Sequence, residues 1–294
     1  VVVGGCKNDT YTAGGTGNFI GGGHNNKIAC GRQAVIVGGS KNSTFATAHN
    51  GVIVGGHSNV VAASAFAGGG VNNQVNGSYG VIVGGSNNTV HGVGGNIVGG
   101  CSNTARNSYS TVVGGYVLSA AGGCSFIGGG SSNCTTTNQA AILGGFCNAI
   151  KKAGSQSTIG GGSNHTICGA NSTIGGGNAN QISTCGCCSS IAGGNAGCIC
   201  TAYSFIGAGT GNTIGGCGTA CSSRPGGGSG AARTCFCGSS ILGSNIVAVS
   251  GHMLHTNRLF LSADGSGCGI PTSDPKVAGV VWRSGTDLKI STGP

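Results

Sequence analysis

The sequence predicts an all-β protein, a parallel β-solenoid with about 15 residues per coil, and two regular columns of residues predict it. The dipeptide Gly-Gly recurs at intervals of 14 to 18 residues, with five successive intervals of 15. A β-branched aliphatic residue stands two positions before almost every repeat. Helical repeats and propeller blades need about 33 to 50 residues, whereas this period fits one coil of a solenoid. Since such a unit buries its apolar side only against its neighbours, the coils should stack.

The two columns run through the first 209 residues. The first glycines of the repeats are Gly4, Gly22, Gly38, Gly55, Gly69, Gly84, Gly99, Gly114, Gly129, Gly144, Gly161, Gly176 and Gly193, followed by the variant Ala208-Gly209. The aliphatic column is Val2, Ile20, Ile36, Ile53, Ile82, Ile97, Val112, Ile127, Ile142, Ile159, Ile174, Ile191 and Ile206, with Ala67 as its exception. β-branched residues favour a pleated, half-buried surface, so this column should line the interior.

A third column predicts a structural ladder of asparagines. Four residues after the first glycine, eleven of fourteen coils carry Asn, and Leu118, His165 and Gly197 replace it in the others. Asn tolerates left-handed backbone and caps turns, and stacked amides can bond to one another from coil to coil. The ladder is Asn8, Asn26, Asn42, Asn59, Asn73, Asn88, Asn103, Asn133, Asn148, Asn180 and Asn212. A second inward slot follows two residues later, so each coil should hold two short strands joined by two glycine turns, a flattened roll.

The half-coil pattern Ile-x-Gly-Gly-x-x-Asn-x resembles the head repeats of trimeric autotransporter adhesins. With its interspersed Cys, it is still more similar to the fibre and spike proteins of large DNA viruses and to phage tail fibres. This resemblance implies a left-handed β-roll that packs side by side as a homotrimer, at a virion surface or outside the cell. It also implies a role in host attachment or capsid decoration. The implied partners are the chain itself, other virion or surface proteins, and a host-surface glycan or protein receptor.

The predicted organisation has four parts. Residues 1–216 form the β-roll repeats, 217–237 a Cys- and Gly-rich insertion, 238–250 a last coil, and 251–294 a C-terminal β cap ending in a hairpin. The Pro-Thr-Ser-Asp-Pro stretch and the region around Trp282 are similar to the ends of phage and large-virus fibre proteins. Since insertions in repeat proteins form surface loops that carry contacts, Arg224 and Arg233 are the candidate partner-contact residues.

Composition argues against an enzyme and against cofactors. The chain has no Glu and only four Asp, of which Asp9 alone lies in the repeats. Glycosidases need two carboxylates about 5 to 9.5 Å apart, and calcium-binding rolls need an acidic ligand in each repeat. The net charge of +9 comes from dispersed Lys and Arg, whereas nucleic-acid binders cluster their basic residues. We therefore predict no catalytic residues, no cofactor, no metal and no nucleic-acid partner.

The 17 cysteines suggest two clusters. Counted back from the next Gly-Gly, Cys168, Cys185 and Cys200 share one slot in consecutive coils, close enough for a vertical disulfide. Small, reduced, stacked side chains are the alternative. In the insertion, Cys217, Cys221, Cys235 and Cys237 suggest a disulfide-braced loop, with a zinc site or a disordered insertion as alternatives.

Two other functions fit a rod of this kind. The first is a bacterial trimeric surface adhesin, which would be distinguished by an upstream signal peptide and a downstream membrane anchor. The second is an ice-binding solenoid, which requires a flat, regular array of Thr on one face. The Thr residues of this chain are scattered instead, for example at Thr111, Thr158 and Thr173.

Overall fold

The structure, a computed structural model, is an all-β parallel solenoid of about 13 turns with about 15 residues per turn. It describes residues 1–10, 16–29, 31–45, 49–215, 240–242, 247–248, 254–256, 281–284 and 287–290. No helix occurs within these ranges, and none of them therefore holds a helix long and apolar enough to cross a membrane.

Two parallel sheets of 15 strands each make the solenoid, and successive strands along the chain alternate between them. Sheet A contains β2 (Phe19–Ile20), β4 (Val35–Ile36), β6 (Val52–Ile53), β8 (Phe66–Ala67), β10 (Val81–Ile82), β12 (Asn96–Ile97), β14 (Thr111–Val112), β16 (Phe126–Ile127), β18 (Ala141–Ile142), β20 (Thr158–Ile159), β22 (Thr173–Ile174), β24 (Ser190–Ile191), β26 (Phe205–Ile206), β28 (Ser240–Leu242) and β30 (Leu254–Thr256). Sheet B contains β1 (Asp9–Thr10), β3 (Lys27–Ile28), β5 (Ser43–Thr44), β7 (Val60–Val61), β9 (Gln74–Val75), β11 (Thr89–Val90), β13 (Thr104–Ala105), β15 (Ser119–Ala120), β17 (Cys134–Thr135), β19 (Ala149–Ile150), β21 (Thr166–Ile167), β23 (Gln181–Ile182), β25 (Cys198–Ile199), β27 (Thr213–Ile214) and β29 (Val247–Ala248).

The predicted inward columns form the core. In sheet A, Ile82 is in register with Ile97, and in sheet B, Val90 is in register with Ala105. All four side chains are fully buried. Strands β1 to β27 are only two residues long, and nearly all have one side chain in and one out. Each coil thus contributes one inward residue per sheet, which is aliphatic in most coils and threonine at positions such as Thr44 and Thr135 of sheet B. The aliphatic repeat therefore sets the strand register over the whole solenoid.

A third ladder, absent from the predicted flattened roll, runs along the turn between sheet A and sheet B. Thirteen successive single-residue parallel bridges connect Cys6 to Thr210, one in each turn. In one coil Ser86 donates its N–H to the Gly100 carbonyl at 2.9 Å, and the next residue, Asn87, donates to the Val71 carbonyl at 2.9 Å. The turn is thus hydrogen-bonded to both neighbouring coils and forms a narrow third side.

The remaining predicted segments lie largely outside the described residues. The insertion at 217–237 is among them, so the structure does not place Arg224, Arg233, Cys217, Cys221, Cys235 or Cys237. β28 and β29 continue the two sheets, and β30, four residues beyond the predicted last coil, is the final strand of sheet A. In a separate unit, Thr256–Pro294, β31 (Val281–Ser284) pairs antiparallel with β32 (Asp287–Ile290).

Candidate functional site

The predicted asparagine ladder is the most regular polar feature of the interior. Its six predicted core members, Asn26, Asn42, Asn59, Asn73, Asn88 and Asn103, are all fully buried. Asn88 illustrates the contacts, since its Nδ2 donates to the carbonyls of Gly84 at 3.1 Å and Gly100 at 3.0 Å. Its Oδ1 accepts the N–H of Asn103 at 3.0 Å. Each amide therefore ties its own glycine turn to the next coil.

Two details of the ladder differ from the prediction. The side-chain amides bond mainly to backbone groups rather than to one another, because the second glycine of the next turn presents its carbonyl within reach. The left-handed residue is not the ladder Asn but its predecessor, such as Asn87 with φ 56°. The second glycine of the turn is also left-handed, with φ 88° at Gly85.

Leu118, His165 and Gly197 occupy the ladder slot where the sequence lacks Asn, and all three are buried. The backbone N–H of Leu118 donates to Asn103 Oδ1 at 3.0 Å, but the leucine side chain has no polar atom that could bond to the next coil. His165 continues the ladder, since its Nδ1 accepts the N–H of Asn180 at 3.1 Å. The ladder therefore contains one titratable group.

The outer face of sheet A carries an apolar strip that the sequence analysis did not predict. We define the apolar outer face as the first residue of each sheet A strand and the residue after the strand, from β2 to β18. Its members are Phe19, Gly21, Val35, Val37, Val52, Val54, Phe66, Gly68, Val81, Val83, Asn96, Val98, Thr111, Val113, Phe126, Gly128, Ala141 and Leu143. Val83 is 52% exposed, Val98 49% and Leu143 56%. The sequence signal for this strip is the Val-Ile-Val alternation, whose first and third residues face outward. The sequence analysis considered only its inward residue.

Phenylalanine and glycine are paired within this face. A Cβ built on Gly21 would lie 3.3 Å from Phe19 Cε1, and one built on Gly68 would lie 3.3 Å from Phe66 Cε1. Phe126 and Gly128 repeat the arrangement at 3.4 Å. Each ring therefore lies against the glycine two residues later. The glycine leaves room for the ring where Phe replaces the smaller Val.

Beyond β18 the side chains on the same face of sheet A are smaller and more polar. Thr158 and Gly160 replace the aliphatic pair in one coil, and Thr173 and Gly175 replace it in the next. Single exposed aliphatic side chains are common on proteins, whereas contiguous apolar strips mark contact surfaces. The strip ending at Leu143 is therefore the strongest candidate for a contact surface among the described residues.

The cysteine cluster predicted at Cys168, Cys185 and Cys200 divides in the structure. Cys168 and Cys200 are buried and disulfide-bonded, as is Cys198. The Sγ atoms of Cys198 and Cys200 lie 3.6 Å apart. Cys185 is instead an exposed free thiol.

The prediction that Cys185 shares a position with Cys168 and Cys200 was wrong. Ile167, Ile182 and Ile199 are in register, so the residue aligned with Cys168 and Cys200 is Ser183. The two extra residues of this coil follow the sheet B strand, which shifts any count made backwards from the next Gly-Gly.

Thiol accessibility is a direct prediction of this arrangement. Maleimide labelling of the native, unreduced chain should modify the exposed free thiols Cys6, Cys124, Cys185 and Cys188. Cys168, Cys198 and Cys200 should remain unmodified in the native chain and in the denatured, unreduced control, because disulfide sulfurs do not alkylate. They should be modified after reduction. Peptide mass spectrometry reads each site, and labelling of these three in the unreduced control would contradict the assignment.

Within the described ranges, no group of three or more His, Cys, Asp or Glu is placed to hold a metal ion. Burial raises the pKa of the Cys134 thiol, while hydrogen bonds from Ser86 and Ser102 lower the pKa of the half-buried Cys101 thiol. Neither thiol has an adjacent base, so neither shift forms part of a nucleophilic arrangement.

Comparison with protein-family models gives no match, and comparison with curated proteins gives no significant relative.

Proposed function

We propose that the chain is a non-enzymatic structural subunit of a fibre or spike, displayed on a virion surface and used in host attachment or capsid decoration. Its copies associate side by side as a parallel homotrimer through the apolar outer face of sheet A. The observation that carries the proposal is this exposed strip along a rod-like repeat. Threefold symmetry and a left-handed coil are added from the resemblance of the repeats to trimeric β-roll heads.

The dimensions of the face suit association between copies. Nine strands about 4.8 Å apart and about three residues wide give the apolar outer face an area of about 400 Å². Its more polar continuation to β26 brings the total to about 600 Å². Specific interfaces bury about 800 Å² on each partner, so the face and its continuation would supply about three quarters of that area. Copies of one chain also share the same rung spacing, which allows every coil to meet its equivalent.

The non-enzymatic role is supported by the lack of carboxylates that could act in pairs or orient a histidine. From residue 10 to residue 263 the sequence contains no Asp or Glu. General acid–base catalysis in hydrolases relies on such groups, either as a pair or as the partner that orients a histidine.

Receptor contact and capping complete the proposal. The insertion at 217–237, with Arg224 and Arg233, is the proposed contact for a host-surface glycan or protein or for another virion protein. The hairpin β31–β32 belongs to the proposed C-terminal cap, because an open last coil exposes unpaired strand edges.

Charge placed on the apolar outer face should dissociate the assembly. We expect Val83→Asp combined with Val98→Asp to reduce the sedimenting mass to that of one chain, because association would bury two uncompensated carboxylates in each copy. Sedimentation velocity measures the mass, and circular dichroism checks that the β structure is retained.

The matched control is His91→Asp, an exposed position in the turn that follows β11 of sheet B. It should leave the mass of the assembly unchanged. A double variant that is folded and retains the parent's multimeric mass would rule out the apolar outer face as the interface, as would dissociation by His91→Asp alone.

A further inference from the structure

His165 is the one titratable side chain in the asparagine ladder of the described coils. It is fully buried, and its backbone N–H donates to Asn148 Oδ1 at 3.0 Å. Its Nδ1 accepts the N–H of Asn180 at 3.1 Å. The imidazole therefore takes the place of an amide, with Nδ1 acting as the Oδ1 acceptor of the other coils.

The hydrogen bond from Asn180 fixes the form of the ring. An acceptor at Nδ1 must be unprotonated, so the neutral ring carries its proton on Nε2. Nε2 is buried, and a Cβ on Gly162 would lie 2.5 Å from it. It has no hydrogen-bond partner of good geometry. The ring edge therefore lies directly against Gly162, where even a methyl group would not fit.

We propose that His165 makes the solenoid acid-sensitive at a single rung, where protonation of the imidazole opens the contact between the coil of His165 and the coil of Asn180. A proton on Nδ1 would point at the N–H of Asn180, so the ladder bond becomes a contact between two donors. The positive charge would also be buried without a counter-ion, which is costly in a protein interior.

No carboxylate on the described elements around His165 compensates for that charge. Around His165 pack β19, β20, β21, β22 and β23, and the charged side chains on these elements and their turns are the cations Lys151 and Lys152. The other titratable groups on these elements and their turns are the thiols of Cys147, Cys185, Cys187 and Cys188, while Cys168 is disulfide-bonded. The sequence has no carboxylate between residues 10 and 263.

The direction of the effect follows from proton linkage. Burial lowers the pKa of His165 below its ordinary value of 6.5, and the backbone of Gly177 offsets this only in part. The opened coil therefore binds the proton more tightly than the closed one. The rung is fully stable above about pH 6.5 and loses stability as the pH falls below that value toward the lowered pKa of the folded state.

Backbone hydrogen exchange of the full chain, corrected for the intrinsic rate at each pH, tests the proposal. Between pH 7.5 and pH 5.5, protection of the Asn180 amide should fall, approaching about tenfold per pH unit, the limit for one proton. Amides of the coil at Asn88 and Asn103 should show no such change.

Two variants make the test specific. His165→Asn restores the residue of the other rungs, so it should fold, and the pH dependence at Asn180 should disappear. His91→Asn removes an exposed histidine and should behave as the parent. Constant protection of Asn180 in the parent, or an unchanged pH dependence in His165→Asn, would overturn the proposal. The test does not depend on the proposed fibre function.

Discussion

Gly85→Ala is expected to disrupt its coil, whereas Gly84→Ala, one residue earlier, should be tolerated. Gly85 has φ 88°, and a Cβ there would collide with the Gly100 carbonyl oxygen and lie 2.6 Å from Asn88 Nδ2. The obstacle is the backbone of the next coil, which cannot move without breaking the stack. We expect a loss of more than about 4 kcal/mol in the free energy of unfolding, a size reserved for strain and severe overpacking.

Gly84 is the matched control because a Cβ there would meet nothing within 4 Å. Its backbone is outside the left-handed region, so Gly84→Ala should change the free energy of unfolding by less than about 1 kcal/mol. Urea unfolding followed by circular dichroism measures both variants. Equal stability of the two would contradict the close approach of successive glycine turns.

Asn88→Ala should produce the second large effect. Truncation leaves the Gly84 carbonyl and the Asn103 N–H without the partner that they have in the parent, while the Gly100 carbonyl still accepts the N–H of Ser86. Since each unsatisfied buried group costs about 1–3 kcal/mol, the loss of two partners should lower the free energy of unfolding by about 2–6 kcal/mol. The same urea titration reads the loss, and limited proteolysis should show cleavage in this coil first.

Asn87→Ala is the control for this variant, since Asn87 is exposed and left-handed. Ala179 and Ala196 stand at the equivalent position in other coils with φ 55° and 56°, so the chain already accepts Ala there. Asn87→Ala should cost less than about 1 kcal/mol. If Asn88→Ala were equally mild, the ladder would contribute little to stability.

The fold could be predicted because the same residue types recur at the positions that set the strand register. The column containing Ile82 and Ile97 and the ladder containing Asn88 and Asn103 recur at the spacing of the coil, and each position admits few alternatives. The third ladder was missed because its members, among them Cys6, point outward and share no chemistry that a sequence pattern could reveal.

The contacts of individual side chains were harder to predict than the repeating columns. The Asn88 side chain donates to backbone carbonyls, and a pattern of side chains cannot predict such partners. The misplacement of Cys185 arose because coils of different length insert residues at one of two turns, and the sequence does not say which. His165 was noted as an exception in its column, but its role depends on the 3.1 Å contact to Asn180, which only coordinates supply.

Light scattering of the unmodified native chain, with and without reductant, tests the central claim most directly. A side-by-side homotrimer predicts a mass of three times the 27.9 kDa chain, unchanged by reduction because the apolar outer face makes the contact. A single-chain mass in both conditions would contradict the account, and a multimer that separates on reduction would replace the apolar contact with intermolecular disulfides.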